Sequence, residues 1–134
     1  MPAANPVVLV AESDALTREL IAAALSRLDP RPVVLPAFSG RQALQAAAGR
    51  RPDLALVDLL LPHGGIGLIA QLKNAGVSWT LPVIVMSGVG LRSVVRQAAR
   101  AGADDFLLKP LRPEDLARRV ERWLSAGGGA DEHA

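Results

Sequence analysis

Five short apolar runs alternate with five segments of helical periodicity, and that alternation leaves few folds open. The runs are Val7 to Ala11, Val33-Val34-Leu35, Leu54 to Val57, Pro82 to Met86 and Phe106 to Leu108. Each is apolar without a break, the pattern of a strand buried on both faces. Short strands separated by helices of about ten residues mean a parallel sheet with helices on both faces. Right-handed crossovers then restrict its topology to few choices. The predicted class is α/β, with five parallel strands.

Local signals place the helices. Asp14 can cap the first, where Leu16, Leu20, Ala23, Ala24 and Arg27 recur at helical spacing. Ser39-Gly40-Arg41-Gln42 has the form of a capping box and opens an Ala-rich helix that Gly49 can close. Gly64-Gly65 forms a loop before a helix from Ile66 to Ala75, ended by Gly76. Leu91 to Ala101 reads as helical with Gly102 at its end, and Pro113 suits the first turn of the last helix. That helix is expected to bury Leu116, Val120, Trp123 and Leu124. From Ser125 the pattern stops. Residues 1–125 are therefore expected to form one domain, and residues 126–134 a flexible Gly-rich tail or the start of a linker.

Composition narrows the function classes. A chain of 134 residues is one ordinary domain, and half its residues are hydrophobic. Aromatics are only 3%, so Leu, Val, Ile and Ala must fill the core. A net charge of +2 demands no nucleic-acid partner. The absence of cysteine excludes thiol chemistry and Cys-based metal sites. No apolar run approaches the ~18 residues of a membrane span, and no signal peptide is visible. A cytoplasmic location follows by default.

The strand ends carry the chemistry. The run before Asp58 stops on that carboxylate, the run before Ser87 on a hydroxyl, and Phe106-Leu107-Leu108 on Lys109-Pro110. In parallel strands these three groups converge at the carboxyl edge of the sheet, where open α/β folds build their sites. An Asp beside a cation and a hydroxyl is equipped to accept and hold a phosphoryl group.

The chain resembles the receiver domain of two-component response regulators from about Val7 to Leu124. The resemblance rests on Val8-Leu9-Val10-Ala11-Glu12-Ser13-Asp14, Pro52 through Pro62, Val83-Ile84-Val85-Met86-Ser87-Gly88 and Ala101 through Pro110. It implies a CheY-like, flavodoxin-like (βα)5 fold with strand order 2-1-3-4-5. It implies that Asp58 accepts phosphate from a sensor histidine kinase or phosphotransfer protein. Lys109 would pair with the phosphoryl group and Ser87 would hydrogen-bond it. Phe106 would turn inward as a switch with Ser87, and the Lys109-Pro110 bond would be cis. The implied cofactor is Mg²⁺, held by Glu12, Asp58 and the Leu60 backbone carbonyl, with Ser13 a doubtful ligand. The implied output is a protein partner on the face of the fourth helix, fifth strand and fifth helix, or a homodimer. Such a domain is no enzyme beyond phosphoryl transfer to its own Asp, and it touches neither nucleic acid nor membrane directly.

Two departures from the family pattern stand out. Glu12-Ser13 replaces two adjacent acids, and a neutral hydroxyl is a poor substitute for a carboxylate against a hard cation. Mg²⁺ is therefore expected to bind weakly, and Ser13 to serve as a helix cap in preference to a ligand. The loop Pro62-His63-Gly64-Gly65-Ile66 lacks the usual Asp or Ser, and His63 has no second metal ligand at suitable spacing. Arg92, Arg96 and Arg100 form a stripe read as a solvated face, with docking of an acidic partner as the alternative. Trp79 is read either as a cover of the core or as a contact residue.

Other classes fit less well. A degenerate receiver that binds partners without phosphate draws support from Ser13. A phosphatase of the haloacid dehalogenase type needs Asp-x-Asp, yet Leu60 stands two after Asp58. A flavodoxin-like electron carrier needs a phosphate loop after the first strand, where Glu12-Ser13-Asp14 is acidic. No DNA-binding domain follows Leu124 in this sequence, so the chain is expected to act through a partner or to belong to a longer protein.

Overall fold

Strands and helices alternate along the whole chain in the computed structural model, which describes residues 5–75 and 80–132. They are β1 Val7–Ala11, α1 Ala15–Leu25, β2 Val33–Ala37, α2 Gly40–Arg50, β3 Leu54–Asp58, α3 Gly65–Ala75, β4 Val83–Ser87, α4 Arg92–Ala101, β5 Asp105–Leu108 and α5 Pro113–Glu132. The five strands form one parallel sheet in the order β2-β1-β3-β4-β5. This is the fold and strand order expected from the sequence.

The unbroken apolar runs have a direct structural cause. Val8 and Val10, Leu54 and Leu56, and Ile84 and Met86 point to one side, where α1 contributes Ile21, Ala24 and Leu25 and α5 contributes Leu116 and Val120. Their neighbours Leu9, Ala11, Ala55, Val57, Val83 and Val85 point to the other, against Ala43 and Ala47 of α2, Leu68, Ile69 and Leu72 of α3, and Ala98 of α4. Side chains alternate across a strand, so a strand covered on both sides needs apolar residues at every position. Among the described residues no buried side-chain nitrogen or oxygen lacks a hydrogen-bond partner.

Several local expectations need correction. Leu16 does not join the buried stripe of α1; it is 74% exposed, and the stripe runs through Ile21, Ala24 and Leu25. Ser13 is not the cap. Asp14 is, and its carboxylate accepts the Thr17 N–H at 3.0 Å. Gly49 does not close α2; the helix runs through Arg50, and Arg51 takes the left-handed conformation at φ 47°. Ser39 caps α2 by accepting from Gln42 N, but Gln42 Oε1 reaches back to Phe38 N at 2.7 Å, one residue before the cap. Trp123 and Leu124 are only half-buried. Helix α5 does not stop at Ser125: it continues through the glycines to Glu132. Trp79 and the Gly76 helix stop lie outside the described residues.

Gly102 ends α4 as expected, at φ 114°. It also lies against Lys73 of α3, whose ammonium bonds the Leu81 carbonyl at 2.9 Å and Asp104 Oδ2 at 2.7 Å. Asp104 in turn accepts the Val83 N–H at 2.8 Å. This clamp ties α3, β4 and the turn before β5 at the edge opposite the strand carboxyl ends.

Candidate phosphoacceptor site

Parallel register brings the expected groups to one edge. Asp58 ends β3, one strand from Ser87 at the end of β4, and Lys109 follows β5 on the far side of β4. Backbone hydrogen bonds continue past the strands and fix the loops: Leu59 N donates to Met86 O at 3.0 Å, and Lys109 N donates to Ser87 O at 2.8 Å. The Lys109-Pro110 bond is cis, as the resemblance implied.

Glu12, Asp58 and Ser87 are the buried polar residues of the described chain. Lys109 Nζ reaches two of them, Glu12 Oε1 at 2.7 Å and Asp58 Oδ2 at 3.3 Å. Burial alone would push this ammonium's pKa down. The hydrogen bond to Glu12 and the charges of Asp58 and Glu12 outweigh that and hold it above the usual lysine value. The remaining carboxylate oxygens bind backbone: Asp14 N donates to Glu12 Oε2 and Leu60 N to Asp58 Oδ1, both at 3.1 Å. The site is therefore two buried carboxylates bridged by one cation.

The other expected residues take other partners or face solvent. Ser87 Oγ accepts the Val89 N–H at 3.0 Å, within its own turn. Phe106 is half-buried and packs on the α2–α3–α4 side of the core. Ser13 is exposed, and its carbonyl accepts from Arg18 Nη1 at 2.9 Å. The Leu60 side chain is 78% exposed. His63 is exposed with φ 54°, a polar loop residue as read from the sequence. Arg92, Arg96 and Arg100 all face solvent, and Ala98 is the buried residue of α4.

Three residues around the site escaped the sequence reading. Gly40 N donates to Pro62 O at 2.7 Å, and a Cβ on Gly40 would overlap the His63 carbonyl oxygen. The signal was a glycine at the first position of a helix, where a close backbone approach needs a residue without a side chain. Arg18 bonds the carbonyls of Glu12 and Ser13, each at 2.9 Å, and lies over the Phe38 ring, 4.3 Å from its centroid. Helical side chains lean toward the N-terminus, so an Arg one turn inside α1 reaches back over the preceding loop.

At the amino end of β5, away from the site, Asp105 ties β5 to α5. It accepts from Arg119 Nη1 at 2.8 Å, Trp123 Nε1 at 2.9 Å and the Phe106 N–H at 2.8 Å. Burial pushes its carboxyl up, but the Trp123, Phe106 and Arg119 contacts together bring it below the ordinary value. A depressed carboxylate stabilises the fold above its unfolded pKa of about 3.9 and loses that contribution as pH falls through its folded value. Wild type is thus expected to lose its advantage over Asp105→Asn on acidification below about pH 4. Urea melts followed by Trp emission across acid pH test this; a gap that stays constant would rule out the linkage.

The chain matches the family model described as the response regulator receiver domain over residues 8–121. It is 33% identical over 128 residues to the phosphate regulon transcriptional regulatory protein PhoB of Pseudomonas aeruginosa, covering 95% of this chain and 55% of that protein. Among solved structures, the Francisella response regulator 1452 receiver domain superposes with a TM-score of 0.81 at 28% identity, over 91% of this chain and 98% of that one. A CheY-like receiver domain protein from Methanospirillum hungatei shares the fold at a TM-score of 0.84 and 20% identity, over 95% of this chain and 99% of that one. The chain spans about half the length of the PhoB relative. No helix among the described residues is long and apolar enough to cross a membrane. With the family model spanning most of its length, this chain belongs to the response regulator receiver domains of two-component signal transduction.

Proposed function

We propose that Asp58 is a phosphoacceptor, charged by a phosphohistidine on a sensor kinase or phosphotransfer protein. The observation that carries the reading is Lys109 Nζ, held between Glu12 and Asp58 at 2.7 and 3.3 Å. An Asp58 oxygen attacks phosphorus while the P–N bond breaks and its electron pair leaves with the imidazole nitrogen. Lys109 neutralises charge on the phosphoryl oxygens, the main task of a protein in this chemistry. Ser87 turns its hydroxyl from Val89 to the new group, and Phe106 follows it inward. The chain catalyses nothing beyond its own phosphorylation. Its signal leaves through α4, β5 and α5 to a downstream protein or a second copy, with no direct nucleic-acid contact, in the cytoplasm.

Receiver domains generally bind Mg²⁺ at the acidic pocket. The residues here do not make a good oxygen cage for it. Hard cations need several free oxygen ligands. Ser13 is neutral and exposed, and both oxygens of Glu12 and of Asp58 already face nitrogen donors. Among the described residues no group of three His, Cys, Asp or Glu side chains could hold a metal. Ser13 also favours a second reading, a receiver that binds partners without taking phosphate.

Incubation with acetyl phosphate followed by intact mass separates the two. Wild type is expected to gain one phosphate and Asp58→Asn none. Unchanged mass in the wild type would favour the second reading, and labelling that survives Asp58→Asn would remove Asp58 from the role.

A further inference from the structure

Helix α4 carries Arg92, Arg96 and Arg100 and no acid. The three stand four residues apart, so they share one stripe, and each faces solvent. Like charges at this spacing destabilise a helix. The start of α4 adds to that cost. Leu91 makes no side-chain cap, and Arg92 sets a cation in the first turn, at the positive end of the helix dipole. By contrast, Asp14 and Ser39 cap α1 and α2, and α5 opens on Glu114 and Asp115. Nothing within the chain offsets the charge on α4. Among the described residues none of its three guanidiniums has an ion pair or a hydrogen bond.

The imbalance continues across β5 and α5. Arg112 and Arg122 are exposed and likewise unpaired among the described residues. Most acids of this region are already engaged. Asp104 holds Lys73, and Asp105 holds Arg119. Glu114 lies 3.7 Å from Arg27, and Asp115 lies 3.8 Å from both Arg118 and Arg119. Among the described residues that leaves Glu121 as the free carboxylate. Apolar side chains sit beside the cations. Leu91 and Leu108 are 65% and 56% exposed. A Cβ on Gly90 would lie 3.1 Å from Leu108 Cδ1, so the loop before α4 rests on the end of β5. From Leu108 a surface cleft of about 710 Å³ runs along β5 and α5, with Phe106, Arg112, Arg118 and Arg119 on its walls.

We propose that the face of α4, β5 and α5 receives an acidic segment of a different protein, anchored by apolar side chains, in preference to a second copy of this chain. A two-fold contact puts the same patch on both sides. Here the unpaired guanidiniums of one copy would meet those of the other, with Glu121 alone to offset them. Carboxylates from a partner would instead pair the α4 stripe and relieve its internal repulsion, while apolar groups cover Leu91 and Leu108. Those leucines also favour a protein over a nucleic acid, whose phosphates would leave them wet. The proposal rests on the reading of this face as the output surface. It does not need Asp58 to take phosphate.

The probe is a short amphipathic peptide with Glu on one face and Leu on the other, titrated into isotope-labelled protein at low salt. Saturable amide shifts are expected along α4 and at Leu91 and Leu108, and added salt should weaken them. A peptide with Gln in place of Glu should bind roughly tenfold weaker, and the acidic peptide should lose a similar factor against Arg96→Gln combined with Arg100→Gln. Leu91→Ser should also weaken it. Equal binding of the Glu and Gln peptides, shifts centred elsewhere, or no binding would overturn the proposal. So would a DNA duplex that binds more tightly than the peptide and ignores Leu91→Ser. A second arm follows mass by light scattering with and without beryllofluoride. Wild type should stay monomeric in both states, whereas Arg96→Glu with Arg100→Glu should self-associate, because it gives the face both signs of charge. A wild-type dimer that Arg96→Gln and Arg100→Gln weaken overturns the choice of partner. Peptide binding that ignores beryllofluoride supports the partner chemistry and removes its control by Asp58. A full beryllofluoride response with no peptide binding does the reverse.

Discussion

Gly40→Ala is expected to destabilise the domain by about 3 kcal/mol, the upper end of ordinary overpacking. The new methyl group would overlap the His63 carbonyl oxygen and crowd the His63 and Gly64 backbone. Neither neighbour is a flexible side-chain tip that can swing away. Relief requires moving the β3–α3 loop or the start of α2, and the Gly40 N–H bond to Pro62 O resists both. For a domain of this size the melting temperature should fall by roughly 10 °C. Gly49→Ala is the control. Gly49 lies in the same helix with nothing near its missing Cβ, and there alanine should stabilise by roughly 0.5–1 kcal/mol. Similar melting temperatures for the two variants would mean that the loop after Asp58 yields freely and does not rest on α2.

Lys109→Ala removes the one cation that bridges Glu12 and Asp58. Breaking a buried pair leaves an uncompensated charge, at about 3–5 kcal/mol where burial is complete. The Lys109 side chain is 24% exposed, so solvent screens part of this and about 2 kcal/mol at neutral pH is the expectation. The sign of the pH dependence follows from the raised lysine pKa. A group raised in the folded state stabilises fully below its unfolded pKa and loses that contribution as pH rises through the folded value. The gap between wild type and variant should therefore persist through neutral pH and narrow on the alkaline side above about pH 10. Denaturant melts at several pH values measure it. The variant should also fail to show the shifts around Ser87 and Phe106 that beryllofluoride induces in the wild type. Full shifts in the variant would make Lys109 a structural residue only.

The sheet was legible because burial on both faces forces an unbroken apolar run, and no other arrangement explains Leu54-Ala55-Leu56-Val57 beside Pro82 to Met86. The Asp58–Lys109 pairing was legible for the same reason, since parallel strands bring their carboxyl ends to one edge. Helix ends were less legible. Arg51 closes α2 in a left-handed conformation that glycine usually takes, and α5 runs through three glycines that argue against helix. Propensity is a weak prior at such positions. Glu12 was legible as a site residue from its place directly after β1, but its pairing with Lys109 and the Asp14 N–H was not. Arg18, Phe38 and Gly40 depend on contacts between loops that are distant in sequence, and no periodicity carries that information.

The two sides of the sheet differ in how they can drift. Against α2, α3 and α4 the interior includes Ala11, Ala37, Ala43, Ala47, Ala55 and Ala98. Against α1 and α5 it is filled largely by Val, Leu, Ile and Met, with Ala24 the small residue. A buried alanine changes mostly by growing, and a buried leucine mostly by shrinking. Random substitution therefore crowds one side and hollows the other, and the two faults are mended differently. A hollow next to α1 or α5 can be refilled by a bulkier neighbour. Crowding beneath α2 calls for a helix to shift, and α2 begins at the glycine that supports the loop after Asp58. Neutral variation should thus accumulate on the α1–α5 side, while the side beneath α2, α3 and α4 stays close to its present composition.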